Sequence, residues 1–341
     1  MADSRAPPGH PVKTLDIHTH LLNPAVKFER LFDRLAVRFF ARRLGIEPAR
    51  LRADPYGAYV QAMADALRAS RQVERACLFP VDARFDTRGR QTHRDPTVCA
   101  FTEDVLAVAA RHPDCFIPFL SVNPQRPDAL ELLEQYAQLG CRGAKFLQNY
   151  WRLDLNQEKF VPYYEKLRDL GLPLVIHLGS EFAIDSSTRY EGNDMLNLPL
   201  ACGVTVIAAH MSLGRIEHRL LPWRNLSRDP HFFDRDYFRL LEMLERHPNL
   251  YADTASILVP LRARALPHLA RQHQVHHKIL FGSDYPVPFT IGFNTHGLPR
   301  EKVRRIAAIE NPFDRYVALM LEYFPAGNPV YSNYRKLLPD F

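Results

Sequence analysis

The sequence predicts a (β/α)8 barrel with a helical insertion after its first strand and a helical C-terminal extension. Three observations predict it. Eight short apolar runs recur along the chain. Segments of helical periodicity separate most of them. Four of the runs end in a residue able to hold a metal. Strands alternating with helices imply a parallel sheet with right-handed crossovers, and eight such units imply closure.

The first run, Leu15-Asp16-Ile17-His18, leads into His-Thr-His. On a strand, residues two apart share a face, so His18 and His20 project together and Ile17 and Thr19 oppose them. The predicted strands are Thr14–His18, Arg75–Pro80, Phe116–Val122, Gly143–Leu147, Leu174–Leu178, Thr205–His210, Leu250–Thr254 and Lys278–Ser283. Helical periodicity marks Thr97–Arg111, Asp128–Leu139, Glu158–Leu170, Arg235–Arg246 and Leu261–Gln272. Gly140, Gly171 and Gly203 fall between helix and strand, where a left-handed residue is wanted. His112 and His247 each precede a proline after a basic last turn and read as helix-end residues.

About fifty residues separate the first two strands, far more than a βα loop needs. Within them Phe28, Leu31, Phe32, Leu35 and Phe39 form an apolar helical stripe, either a lid or an oligomer contact. Arg30, Arg34, Arg38 and Arg42 lie on another, solvated face. Asp54-Pro55 reads as an N-cap and first-turn proline of the barrel's own first helix, which runs to about Ser70. The chain is expected to form one domain over 1–341. The barrel takes about 13–310, the insertion about 24–53 and the extension about 311–341, with a helix over Asp314 to Phe324.

Composition bounds the function. The chain has 341 residues, 46% hydrophobic and 24% charged, with a net charge of +6 and a pI near 9.1. That is an ordinary globular profile whose mild basicity suits an anionic substrate. No concentrated basic tract argues for nucleic acid, and no apolar stretch is long enough for a bilayer. The N-terminus lacks the apolar core of a signal peptide, and the five cysteines have no Cys-x-x-Cys spacing. A reducing cytoplasm, a small-molecule substrate, no nucleic-acid or membrane partner, and a homo-oligomer as an option are the expectations.

In a parallel barrel the C-terminal strand ends meet at one rim. That rim would gather His18, His20, Lys145 of strand four, His177, His210 and Asp284. Polar residues closing apolar runs are costly unless used or paired. Imidazoles and a carboxylate suit a divalent ion that keeps a position for water and lowers its pKa. Asp284 can accept the water's proton, and His210 can polarise a carbonyl or stabilise an oxyanion. Trp151 and Arg152, after strand four, could bind a flat acidic substrate or simply cap the barrel, and Tyr285 is a further substrate-side candidate. Asp253 closes strand seven, where it could orient a ligand histidine. His273, His276 and His277 precede strand eight, roughly 20 Å from Asp284, and read as surface residues of the opposite face. His10, His93, His231 and His296 have no partners at ligand spacing.

The motifs Asp-Ile-His-Thr-His, Gly-Ala-Lys-Phe, Val-Ile-His-Leu-Gly, Ala-Ala-His-Met-Ser and Phe-Gly-Ser-Asp-Tyr-Pro, from Asp16 to Pro286, resemble the amidohydrolase superfamily of metal-dependent TIM barrels. They look most like amidohydrolase family 2, which includes hydrolases, lactonases and nonoxidative decarboxylases. The resemblance implies His18, His20, His177 and Asp284 as metal ligands and His210 as a second-metal ligand or acid/base. It implies two versions of Lys145, a carboxylated bridge between two metals or a plain ammonium group. One metal is preferred over two, and zinc is expected, with manganese also suited. The expected activity is hydrolysis of an amide, ester or lactone of a small acidic substrate. A nonoxidative decarboxylase of a small aromatic or unsaturated acid is the alternative. A barrel kept as a binding scaffold is the non-enzymatic alternative.

Overall fold

The computed structural model describes residues 12–25, 41, 45–93, 100–181, 184–217, 220–289, 291–295 and 297–341. The apolar stripe from Phe28 to Phe39 lies outside them, as do His10, His218 and His296.

Eight parallel strands carry the fold: β1 Thr14–His20, β2 Val73–Phe79, β3 Phe116–Pro118, β4 Ala144–Phe146, β5 Leu174–Ile176, β6 Val206–Ala208, β7 Leu250–Asp253 and β8 Ile279–Leu280. β1, β2 and β3 form one ladder, and β4 to β8 form another. Two seams join the ladders. Leu120 bridges Ala144, and Thr19 bridges Tyr285. Ile17 N–H also donates to Phe281 O at 3.0 Å and Asp284 N–H to His18 O at 2.8 Å. The order of neighbours is therefore that of a (β/α)8 barrel.

The strand registers explain what lies inside. Lys145, Val175, Ile207 and Tyr251 are successive register partners and form one row. Val175 and Ile207 pack with Leu15, Ile17, Cys77, Phe79, Ile117, Phe119 and Leu280 as the interior layer. Residues two further along the same strands, His177 and Asp253, then point inward at the rim. The alternate residues, Phe146, Ile176, Ala208 and Ala252, belong to the larger core under the helices. Tyr334 and Leu338 of the C-terminal extension complete the interior layer, so the extension closes the far end of the barrel rather than merely lying on it. Thr14 Oγ1–H donates to Tyr331 O at 2.8 Å and ties that end to β1.

The helix Pro55–Ala69 begins where Asp54 accepts the Gly57 N–H. Thr102–Arg111, Ala129–Gln138, Val161–Asp169 and Arg235–Arg246 lie where periodicity predicts them. Gly140, Gly171 and Gly203 have positive φ. The predicted helix over Leu261–Gln272 is instead two short ones, Pro260–Ala263 and Leu266–Leu269. Pro267 has no N–H to continue the ladder between them. In the extension the helix spans Pro312–Met320, and Asn311 Oδ1 accepts the Phe313 and Asp314 N–H groups. A helix over Arg300–Ala307 and a hairpin of Arg84–Phe85 with Gln91–His93 were not legible as elements in the sequence. No helix among the described residues is long and apolar enough to cross a membrane.

Candidate metal centre

Three ligand-capable atoms converge at the rim. His18 Nε2 lies 3.2 Å from His20 Nε2, His20 Nε2 lies 3.2 Å from Asp284 Oδ1, and His18 Nε2 lies 3.5 Å from that oxygen. A divalent ion bound at about 2.0–2.2 Å in tetrahedral or octahedral geometry sets adjacent ligand atoms about 2.8–3.6 Å apart. The triangle therefore fits such an ion. His18 and Asp284 are buried, and His20, with 21% of its side chain exposed, is the member open to solvent.

The local backbone differs from the sequence expectation. The pairing of β1 with β2 is irregular between Asp16 and Thr19. Ile17 joins the interior layer, and His18, the very next residue, also meets interior groups: Phe79 at 4.7 Å between ring centroids and Lys145 Nζ at 3.5 Å. Strict alternation across Ile17 and His18 is thus lost, as an irregular ladder permits. His210 and Asp284 are not the last residues of their strands either. β6 ends at Ala208 and β8 at Leu280. His210 at φ 61° and Asp284 at φ 66° reach the site from left-handed backbone, as does Ser256 at φ 52°. Such conformations cost about 1–3 kcal/mol each in a side-chain-bearing residue and concentrate at functional sites.

Proton positions follow from the fixed partners. His18 Nδ1–H donates to Asp253 Oδ2 at 2.8 Å, which leaves the Nε2 lone pair facing the triangle. Burial first, and Lys145 second, hold the His18 pKa well below its usual value, so the ring is neutral. Asp253 Oδ1 accepts the backbone N–H groups of His210 at 2.8 Å and Ala255 at 3.0 Å. One carboxylate therefore orients both a histidine ring and the strained turn beyond β6. Burial pushes the Asp253 pKa up to about 6 against those bonds. Burial also opposes ionisation of Asp284. Hydrogen bonds from His20 and Ser256, with the nearby imidazoles, nevertheless hold its carboxyl below the usual range.

His177 is not in the triangle. His210 Nδ1 lies 3.1 Å from Ala255 O, a pure acceptor, so His210 donates there and its Nε2 accepts. His177 Nδ1, at 3.2 Å, then donates to His210 Nε2. The His177 Nε2 lone pair is left buried and without a hydrogen-bond partner among the described residues. Burial and the positive charge of Lys145 keep this ring neutral as well. Lys145 itself is fully buried, with Nζ 5.4 Å from the Phe79 ring centroid.

The outer candidates separate. Trp151 takes the capping reading. It is buried against Phe146, and its indole N–H donates to Asp82 O at 2.9 Å. Arg152 is exposed and pairs with Asp185 at 2.9 Å. Tyr285 is buried, stacked on Phe313 with centroids 5.0 Å apart, and its hydroxyl has no hydrogen-bond partner among the described residues. His276 is not a surface residue. Its Nε2–H donates to Leu269 O at 3.0 Å and its Nδ1 accepts from Asn328 at 2.9 Å, while His273 and His277 are exposed. A loop far away in sequence supplies Asn328, which is why spacing alone misplaced the ring.

Three residues near the site were not singled out from sequence. Ser256 donates to Asp284 Oδ2. Asp16 accepts the Ser283 N–H at 2.9 Å and the His18 N–H at 3.1 Å, clamping β1 to the segment after β8. Arg262 is buried against the loops that follow β5 and β6. Two of them carried a local signal: Asp16 opens the Asp-Ile-His-Thr-His motif, and Ser256 lies three residues past Asp253, just beyond a strand end.

Known structures share this architecture. An uncharacterised TIM-barrel protein of Bordetella bronchiseptica superposes with a TM-score of 0.55 at 20% identity, covering 96% of this chain and 98% of that one. A 2,6-dihydroxybenzoate decarboxylase superposes at 0.51 with 15% identity over 96% and 98%. The 5-carboxyvanillate decarboxylase of Sphingomonas paucimobilis superposes at 0.50 with 15% identity over 96% and 99%. No curated protein sequence matches the chain. The amidohydrolase family model, however, matches residues 15–291, a span that runs from the start of β1 past Asp284 and takes in every rim residue described above. The protein belongs to the amidohydrolase family.

Proposed function

We propose that this protein is a metal-dependent hydrolase that adds water to an amide, ester or lactone carbonyl of a small substrate. The observation that carries the reading is the triangle of His18 Nε2, His20 Nε2 and Asp284 Oδ1. These atoms would hold one divalent ion, with zinc the best match to two imidazoles and a carboxylate and manganese also suited. Such an ion, when bound, lowers the pKa of water and polarises a carbonyl oxygen. His177 Nε2, a buried lone pair, is the remaining candidate ligand.

The chain's own groups do the rest. Asp253 fixes the tautomer of His18. Asp284 accepts a proton from attacking water and returns it to the leaving group, while Ser256 holds its other oxygen still. His210, its Nδ1–H held by Ala255 O, accepts the His177 Nδ1–H at Nε2 and so orients that ring at the rim. A single ion is preferred because the His210 Nε2 lone pair is already taken by His177, which leaves a second ion poorly provided.

A second reading has its own support. Lys145 places a buried ammonium group beside His18, suited to a substrate carboxylate, and two of the fold relatives are decarboxylases of hydroxylated aromatic acids. Elemental analysis with a product assay decides both questions. Purified protein should hold about one equivalent of divalent metal, His18→Ala should hold none, and His177→Ala should bind it about tenfold more weakly. Turnover without carbon dioxide supports hydrolysis, and carbon dioxide release replaces it with the lyase reading. Full metal content in His18→Ala would refute the centre itself.

A further inference from the structure

Two buried arginines lie two residues apart after β7, and they are satisfied differently. Arg264 pairs with Asp234 at 2.9 Å, both side chains essentially inaccessible. Arg262 is almost as buried and forms no ion pair among the described residues. Its Nε–H donates to Leu213 O at 3.1 Å and its Nη2 to Ser180 O at 3.4 Å. Its Nη1 makes no hydrogen bond among the described residues. A buried guanidinium keeps its charge, and leaving that charge without a directly paired carboxylate is costly.

The position of Arg262 decides what that charge is for. Leu213 lies three residues past His210, and Ser180 three past His177. The guanidinium therefore bridges the two loops that leave the rim beside those histidines. Its charge is felt by His210, His177 and His18, and the carboxylates of Asp284 and Glu181 act on it in return. The loop after β6 is shaped around it. Gly214 has φ +103°, and a Cβ there would lie 3.0 Å from Arg262 Nε. Backbone carbonyls neutralise no charge, so the two hydrogen bonds fix the fork in place without discharging it. Arg264 already supplies the ion pair that holds this segment down.

We infer that Arg262 is the specificity-determining residue of the site and receives a carboxylate of the substrate through its unused Nη1 edge. The substrate class is then a small organic acid whose reacting carbon lies between this anchor and the His18–His20–Asp284 triangle. The inference rests on reading that rim as the reaction site, but the anchor is a property of Arg262 and not of the metal.

The test uses the full chain, both as isolated and after chelation, with benzoate and its neutral analogue benzamide as probes in titration calorimetry. Wild-type protein should bind benzoate at least tenfold more tightly than benzamide. Arg262→Met should weaken benzoate about 10- to 100-fold, the range for a charge-assisted hydrogen bond, and leave benzamide unchanged. A merely structural role would weaken both probes alike. Wild-type protein that does not distinguish the probes, or equal benzoate affinity in Arg262→Met, overturns the inference. If Arg262→Met does not fold, Arg262→Lys decides: a several-fold loss for benzoate alone supports the anchor, and no change overturns it. Chelation keeps the two readings apart. An Arg262-dependent preference that survives in protein shown to bind no metal supports the anchor and refutes the metal centre alone.

Discussion

His18 Nδ1 lies 2.8 Å from Asp253 Oδ2, so the first strand of the barrel is hydrogen-bonded to the seventh across 235 residues of sequence. The contact sets a tautomer, and the tautomer sets which lone pair faces His20 and Asp284. The other oxygen of Asp253 holds the backbone of His210. Its loss would reach both sides of the centre at once.

Asp253→Ala should therefore lower metal affinity about 10- to 100-fold, the usual effect of removing the partner of a ligating histidine. Competition against a chelator of known affinity measures it. An unchanged affinity in a variant with native circular dichroism would show that His18 is held in place by packing alone.

Lys145 separates one metal from two. As an ammonium group 3.5 Å from His18 Nε2, it contributes charge to the site and no ligand. Lys145→Met should then leave about one equivalent of metal and lower kcat about 10²-fold, as loss of a positioned donor does. A fall from two equivalents to one, partly restored by added short carboxylic acids, would instead show a carboxylated bridge.

The Asp234–Arg264 pair is a prediction about stability. Both side chains are buried, and Arg264 also donates to Arg224 O and Phe232 O. Asp234→Ala should cost about 3–5 kcal/mol in urea unfolding, because it strands a buried cation. Asp234→Leu combined with Arg264→Met should recover most of that loss. A cost below about 1 kcal/mol for the single change would mean that water replaces the carboxylate.

The sequence by itself determined the fold class, the strand set and which histidines and carboxylates lie at or just past the strand ends. Each of these is local. Apolar runs of strand length, helical stripes between them, and a histidine or aspartate closing a run all lie within a few residues of one another. The family match over 15–291 agrees with that reading. Four things were decided by tertiary structure alone. The ladder irregularity between Asp16 and Thr19 depends on how β1 pairs with β2, and it moves His18 onto the interior beside Ile17. The left-handed turns at His210 and Asp284 re-aim side chains that a straight strand would point elsewhere. The hydrogen bond between His177 and His210 keeps the former out of the triangle. Arg262 and Arg264 look alike in sequence, yet among the described residues only Arg264 pairs with a carboxylate, because Asp234 comes from a loop thirty residues away. Spacing along the chain fixes which residues can share a face. It does not fix which atoms of two distant loops end within bonding distance, and that is settled only when the barrel closes.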